Sequence, residues 1–343
     1  MTGVINQNHY LDGLDVIGGQ EHKDAVNQYY QDIFVRLPEN TQRAYKSDIK
    51  DYQRFCNLNK LTSFSTNDPV TEQSVKHYML YLCNSDSISH ATVIRRKSAI
   101  SKFLGMAKLP NPIKNGEYIN ALVKRELAAQ NKYSRGDQAT PLTIDLLVQI
   151  NACLEPNNLQ DARDLALVNV MYDALLRSDE ACKVRVGDVN RRDLTLYVPA
   201  TKSDQTGKGS FRYLSKTSIQ LVDKFIVLAK LNVSKEMNYK QLSKEYLFRG
   251  LSPKKTSVLE SNISYSTIYR AFQRLSRLAN LSIHLTSHSP RVGAAVTMAE
   301  SGISDLDIQR AGAWKSTAMP ARYTEQARVS AGGMAQIAKL TNR

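Results

Sequence analysis

Apolar side chains recur along the first 130 residues with the period of helices. Ala25 to Leu37 mixes polar and apolar residues in a helical manner, and Pro38-Glu39-Asn40-Thr41 then breaks and restarts the chain. Asn40 or Thr41 is the expected cap of the next helix, because a short polar side chain accepts from the free N–H groups of a first turn. In that helix Tyr45, Ile49, Tyr52 and Phe55/Cys56 form one stripe. Val75 to Leu82, Thr92 to Leu104 and Ile119 to Ala129 continue the pattern. Thr92 to Leu104 sets apolar Val93, Ile100, Phe103 and Leu104 beside basic Arg95, Arg96, Lys97 and Lys102. No strand pattern is visible here, so residues 21–130 are expected to form a small helical bundle behind a flexible arm, residues 1–20.

Residues 131–141 are polar, carry Gly136 and Pro141, and read as a linker. Beyond it the periods mix. Asp161 to Leu176 is a helix with Leu165, Val168, Tyr172 and Leu175 on one face. Leu194 to Val198 reads as a strand and Phe211 to Leu214 as its return partner. The loop between them, residues 199–210, is long for a hairpin, and long loops in compact domains are often functional. Ile219 to Leu231 and Thr267 to Leu281 are helices, the second with Arg270, Arg274 and Arg277 spaced to share a face. The expected fold is therefore mainly α with a small antiparallel β-sheet. At 343 residues the chain exceeds what one core usually supports, so two domains are expected.

Charge narrows the partner. Lys plus Arg number 46 against 32 Asp plus Glu, a net charge of +14. An excess of that sign suits a polyanion, whose phosphates Lys and Arg neutralise; a merely basic soluble protein is the alternative. No membrane span is visible, and Met1 to Gly19 lacks the apolar run of a signal peptide. Cys56, Cys83, Cys153 and Cys182 stand far apart without a CxxC pair, which speaks against a zinc site or a disulfide framework and suits a reducing cytoplasm. Of six histidines only His284 and His288 are near each other, with no Cys or Asp beside them, so no metal site is expected.

The chemistry concentrates near the C-terminus. Ser287-His288-Ser289-Pro290-Arg291-Val292-Gly293 reads as a helix start, with Ser289 as cap and Pro290 first in the helix; Gly302 supplies the stop. Arg291 then sits in the first turn, where free N–H groups favour an anion, and His288 faces the same space. A guanidinium offers a planar fork to two phosphate oxygens. The plain alternative is a helix start with an incidental Arg and a His bonded to backbone. Downstream, Ser304 caps a short helix ending near Gly312, and Trp314, the only Trp, follows in the turn. Ser316 or Thr317 starts another helix, with Pro320 in its first turn and Tyr323 about one turn on. Tyr323 is one of 17 tyrosines and Trp314 equally suits a core anchor, so neither is diagnostic alone.

Taken in order, these pieces resemble the tyrosine recombinase (phage integrase) family, and within it the Cre-like site-specific recombinases. Leu175-Leu176-Arg177-Ser178-Asp179-Glu180 looks like the family's first arginine box, and Thr201-Lys202 like its catalytic lysine turn. His288 to Ala295 looks like the second box, Gly312-Ala313-Trp314 sits where Cre-like members carry Trp, and Ala321-Arg322-Tyr323 looks like the nucleophile box. Asn40 to Cys56 and Ser89 to Gly105 extend the likeness into the helical half. Pro290 departs from a position that is usually small or aliphatic; Val292 replaces a His that many members carry, a change shared with Cre-like members.

The resemblance implies a two-domain DNA clamp: a helical SAM-like core-binding domain (21–130) and a catalytic domain (142–343) ending in a subunit-exchange helix (334–343) with apolar Met334, Ile337 and Leu340. It implies that Tyr323 attacks a DNA phosphodiester, forming a 3′-phosphotyrosyl link on the way to a Holliday junction, without metal, ATP or cofactor. Arg177 and Arg291 would grip the phosphate and His288 would act as base or hydrogen-bond partner. Lys202 would protonate the leaving 5′-oxygen, Trp314 would donate its indole N–H, and Glu180 would orient the cluster. His90, Thr92, Arg95 and Arg96 in one domain, and Tyr265, Ser266, Tyr269 and Arg270 in the other, are the candidates for groove contact. Implied partners are double-stranded DNA with an inverted-repeat site and a homotetramer on two sites, in a prokaryotic cytoplasm at the nucleoid, encoded by a phage or plasmid. A type IB-like topoisomerase, a telomere resolvase and a non-cutting DNA-binding protein are the competing readings.

Overall fold

The computed structural model describes residues 16–17, 19–132, 138–199, 207–231 and 244–341. They fall into two compact units, Met1–Asp137 and Gln138–Arg343.

In the first unit β1 (Val16–Ile17) pairs in parallel with β2 (Phe64–Ser65). This corrects the expectation of a strandless bundle; most of the flexible arm expected at residues 1–20 lies outside the described residues. Two-residue strands are too short to carry a period-two signal. Helix α1 (Gln20–Asp32) is followed by a 3₁₀ turn at Phe34–Arg36 and then α2 (Glu39–Leu58). Pro38, with its fixed φ, occupies the cap position of α2, and neither expected residue caps it; the Asn40 amide oxygen accepts from Arg43 instead (3.3 Å). Helices α3 (Asp68–Asn84) and α4 (His90–Met106) each start on a short polar side chain: Asn67 accepts from the N–H of Val70 and Ser89 from that of Thr92, both at 3.3 Å. Short α5 (Pro112–Asn115) and α6 (Glu117–Ala129) complete the bundle. Its core includes Tyr52, Phe64, Val75, Tyr78, Ile100 and Phe103.

The second unit is built around α8 (Leu159–Asp173), which is buried on every side rather than along one stripe. A helix surrounded by other elements has no solvent face for a stripe to define. Its polar residues are paired inside. Arg163 bonds Asp164 (2.7 Å), and Arg274 reaches Asp161 and Asp164. Arg274 is thereby drawn away from the basic face expected with Arg270 and Arg277. The elements around the core are α7 (Ile144–Cys153), the small α9 (Ser178–Lys183), α10 (Lys216–Leu228), α11 (Tyr265–Leu278) and α12 (Ser289–Glu300). Two antiparallel sheets flank it. β3 (Val189–Asn190), β4 (Thr195–Val198) and β5 (Ser210–Tyr213) form one, with Leu196 opposite Arg212; β6 (Arg249–Leu251) and β7 (Val258–Asn262) form the other. The chain closes with α13 (Asp305–Ala311), α14 (Ala318–Ala331) and α15 (Gly333–Leu340). No helix among the described residues is long and apolar enough to cross a membrane.

Candidate active site

The C-terminal end of α8 sets the first part of the site. Leu175 adopts a left-handed backbone (φ 48°) and turns the chain out of the helix. Arg177 follows in extended conformation at the start of α9. Glu180, 2% exposed, accepts from the Arg177 backbone N–H (2.8 Å) and from its guanidinium (3.0 Å). One edge of that guanidinium is thus fixed, while the side chain stays 37% exposed.

Helix α12 supplies the second part. Its first turn packs directly on the backbone at Leu142, whose N–H donates to the Ser289 carbonyl (3.0 Å). Only glycine permits that approach: a Cβ at Gly293 would stand 1.7 Å from the Leu142 carbonyl oxygen. Ser289 is buried and its hydroxyl accepts from the Thr286 N–H (2.9 Å). That hydroxyl serves the preceding loop, so it does not cap the helix. The helix starts at Ser289, His288 holds the cap position, and Pro290 is second rather than first.

Arg291 has no exposed surface. Its guanidinium donates to the carbonyls of Leu175 and Gly312 (2.9 Å to the latter) and lies 4.0 Å from the centroid of the Trp314 ring. Its Nε has no hydrogen-bond partner among the described residues. The turn after α13 delivers Trp314 through a left-handed Ala313 (φ 42°). Gly312 is required there, since a Cβ would come within 1.9 Å of the indole ring. Tyr323, on α14 and 9% exposed, sets its hydroxyl 3.0 Å from Nε2 of His288, and its ring centroid lies 6.1 Å from that of Trp314.

These positions define the protonation states. Burial, reinforced by Arg291 and then Arg177, pushes the His288 imidazole below its ordinary value, so the neutral ring faces Tyr323 at neutral pH. Burial raises the Tyr323 phenol, against the opposing pull of Arg291, Arg177 and Arg322, so the resting hydroxyl keeps its proton. Burial first, then Arg177, brings Arg291 down to about 9, which leaves it cationic at neutral pH. A protonated phenol and a neutral imidazole in hydrogen-bonding range, beside two guanidiniums, form a site suited to an anion.

Arg177, Glu180, His288, Arg291, Trp314 and Tyr323 therefore converge in one unit. Lys202 lies outside the described residues. Sequence reading missed Arg212, 5% exposed on β5, which donates to the Ala311 carbonyl (2.8 Å) and Ser210 Oγ (3.1 Å). The signal was in the strand register. Leu196 and Val198 point inward, and Arg212 pairs with Leu196.

The groove-contact candidates occupy different surroundings. His90 and Thr92 are half-buried at the start of α4. Arg95 is paired with Asp48, and Arg96 with Asp51 (2.6 Å). On α11, Ser266 shares a hydrogen bond with Ser264 (3.0 Å), the Tyr265 hydroxyl donates to Asp179 (3.1 Å), Tyr269 contacts His284 (3.2 Å), and Arg270 bonds its own helix at Ser266 (3.2 Å). Among the described residues no cluster of His, Cys, Asp or Glu suits a metal ion.

A tyrosine set beside a histidine and two arginines, on a mainly helical domain with small antiparallel sheets, is the arrangement expected of the tyrosine recombinase family. Residues 141–329 match the model of the phage integrase family, and the chain belongs to that family, whose members cleave and rejoin DNA. It is 25% identical to the Recombinase cre of Escherichia phage P1 over 357 aligned positions, covering 98% of each chain. The fold is that of the Tn1549 transposon integrase in complex with circular intermediate DNA (TM-score 0.60, 14% identity, 88% of this chain and 94% of that one). It is also that of the XerH site-specific recombinase in a post-cleavage complex with palindromic difH substrate (TM-score 0.60, 16% identity, 87% and 80%).

Proposed function

We propose that this protein is a site-specific DNA recombinase working through a covalent 3′-phosphotyrosyl intermediate. The observation that carries the reading is the Tyr323 hydroxyl, 3.0 Å from a neutral His288 and beside the buried Arg291. The Tyr323 oxygen attacks the scissile phosphorus, its proton passing to His288, while the bond from phosphorus to the 5′-oxygen breaks. Lys202 protonates that oxygen as it leaves. The charge gathering on the non-bridging oxygens falls to Arg177 and Arg291, the kind of electrostatic support whose removal slows reactions about a hundredfold to a thousandfold. The ester bond energy stays in the phosphotyrosine, so resealing needs neither metal nor ATP. Attack on it by a 5′-hydroxyl from a second duplex, repeated on the other strands, passes through a Holliday junction.

That exchange requires two DNA sites and four subunits. Two protomers on one site fit an inverted-repeat sequence, and a homotetramer joins two such sites. The exposure of Met334 (76%), Ile337 (52%) and Leu340 (85%) on α15 supports docking of that helix on a neighbouring subunit. Two-part recognition by α4 and α11, in a prokaryotic cytoplasm at the nucleoid, completes the reading.

The test is a mixture of pure protein with labelled DNA from around its own coding locus, probed for detergent-resistant adducts, with Tyr323→Phe alongside. An adduct that forms in chelator and needs Tyr323 supports the proposal. Supercoil relaxation by a monomer without recombinant product points instead to a topoisomerase. Tight, salt-sensitive binding without any adduct points to a protein that holds DNA and does not cut it.

A further inference from the structure

Two consecutive carbonyls end α13, and each is held by a guanidinium from a different element. Arg291 on α12 binds Gly312 (2.9 Å) and Arg212 on β5 binds Ala311 (2.8 Å). Last-turn carbonyls have no partner within their own helix, and cations are favoured there. Arg212 is 5% exposed and stands opposite Leu196 in a sheet face that an aliphatic side chain would fill without desolvating a charge. Its Nε is fixed by Ser210 of the same strand (3.1 Å), which aims the rest of the fork at α13. The segment joining β4 to β5 contains Lys202, and the turn leaving α13 contains Trp314. Arg212 is a hydrogen-bonded tie between β5 of that hairpin and the end of α13, where the turn begins.

We propose that Arg212 is a positioning residue for strand cleavage, locking the Gly312–Trp314 turn to the β4–β5 hairpin. The functional half of this inference rests on the recombinase reading above. Without the tie, the turn loses one of the two guanidiniums that hold it, and Trp314 no longer holds its place over the Arg291 guanidinium, 4.0 Å away. Displacements of about 1 Å in a supporting element typically slow a reaction on the order of a hundredfold.

Trp314 is the only tryptophan in the chain, so its fluorescence reports on this turn directly. The experiment compares full-length wild type with Arg212→Met, Arg212→Lys and the milder Ser210→Ala. In Arg212→Met the Trp314 emission is expected to shift red and to become more accessible to acrylamide. Cleavage of a nicked suicide substrate should slow on the order of a hundredfold with DNA affinity little changed, the pattern of a lost transition-state arrangement. Arg212→Lys, which keeps a donor for Ala311, should recover part of both signals. A folded Arg212→Met with wild-type emission and quenching overturns the proposal. If Arg212→Met does not fold, unchanged quenching and cleavage in Ser210→Ala overturn it. If wild type itself cleaves nothing, the recombinase reading fails, and the fluorescence still decides whether Arg212 holds the turn.

Discussion

Gly293→Ala is the sharpest perturbation available to this site, because it touches no reacting group. The new Cβ would lie 1.7, 2.2 and 2.6 Å from the O, C and N atoms of Leu142. All three are backbone, so no side chain can swing aside. Ordinary contact requires the first turn of α12 and residue 142 to separate by about 1.5 Å or more. Overpacking of this kind costs about 1–3 kcal/mol, and a backbone obstacle places the expected loss at about 3 kcal/mol. For a unit of this size that is a fall in Tm of about 6–12 °C. The same displacement would stretch the 3.0 Å contact from His288 to Tyr323 and the 2.9 Å bond from Arg291 to Gly312 beyond hydrogen-bonding range. Cleavage should then slow on the order of a hundredfold. Thermal denaturation by circular dichroism reads the first quantity and single-turnover adduct formation on a suicide substrate reads the second. A Gly293→Ala protein melting within about 2 °C of wild type and cleaving at a similar rate would show that this close approach is not what sets the site.

Glu180→Gln removes the carboxylate that binds the Arg177 backbone and guanidinium. It should cost about 2 kcal/mol of stability in denaturant titrations and slow adduct formation, and an unchanged unfolding midpoint would contradict the role given to Glu180. The His288 imidazole, followed by NMR in the DNA-free protein and assigned by its loss in His288→Gln, should titrate below about 6.5, since burial, Arg291 and Arg177 all disfavour its cation. Its folded pKa is depressed, so the stability it contributes is complete above the unfolded value of about 6.5 and is lost as pH falls through the lower folded value; a titration at or above the unfolded value would refute the assignment. Met334→Ser, Ile337→Ser and Leu340→Ser together should leave melting and single-site binding intact, while sedimentation on DNA shows loss of the four-subunit complex proposed above; unaltered assembly would refute docking through α15.

The helical half was largely legible because its stripes are regular, as in Tyr45, Ile49 and Tyr52, and tertiary packing agrees with local preference there. Elements that went unread are short or lack a period. α9 spans Ser178–Lys183, and β1 and β2 have two residues each. The helix α8 was read, but with one apolar face, whereas it is buried all round because its charges pair internally. In the site, residues lying on short motifs with a capping or turn signature, such as His288, Arg291 and Trp314, could be singled out one by one. Their convergence was implied only by the family resemblance, because periodicity and capping do not report contacts between residues as distant as Leu175, Arg291 and Gly312. Arg212 escaped because a lone arginine in a strand looks like a solvated residue until the register with Leu196 turns it inward.

The partners of Arg291 bear on how such a chain can change over generations. Both of its acceptors are main-chain carbonyls, which every residue possesses. A substitution at position 175 replaces a side chain and leaves the oxygen in place, provided the new residue tolerates the left-handed turn. The arginine's grip is therefore inherited through backbone path rather than through matched pairs of side chains. Outside Gly293 and Gly312, where a side chain would collide with its surroundings, neighbouring letters can change one at a time with both acceptor oxygens still in place.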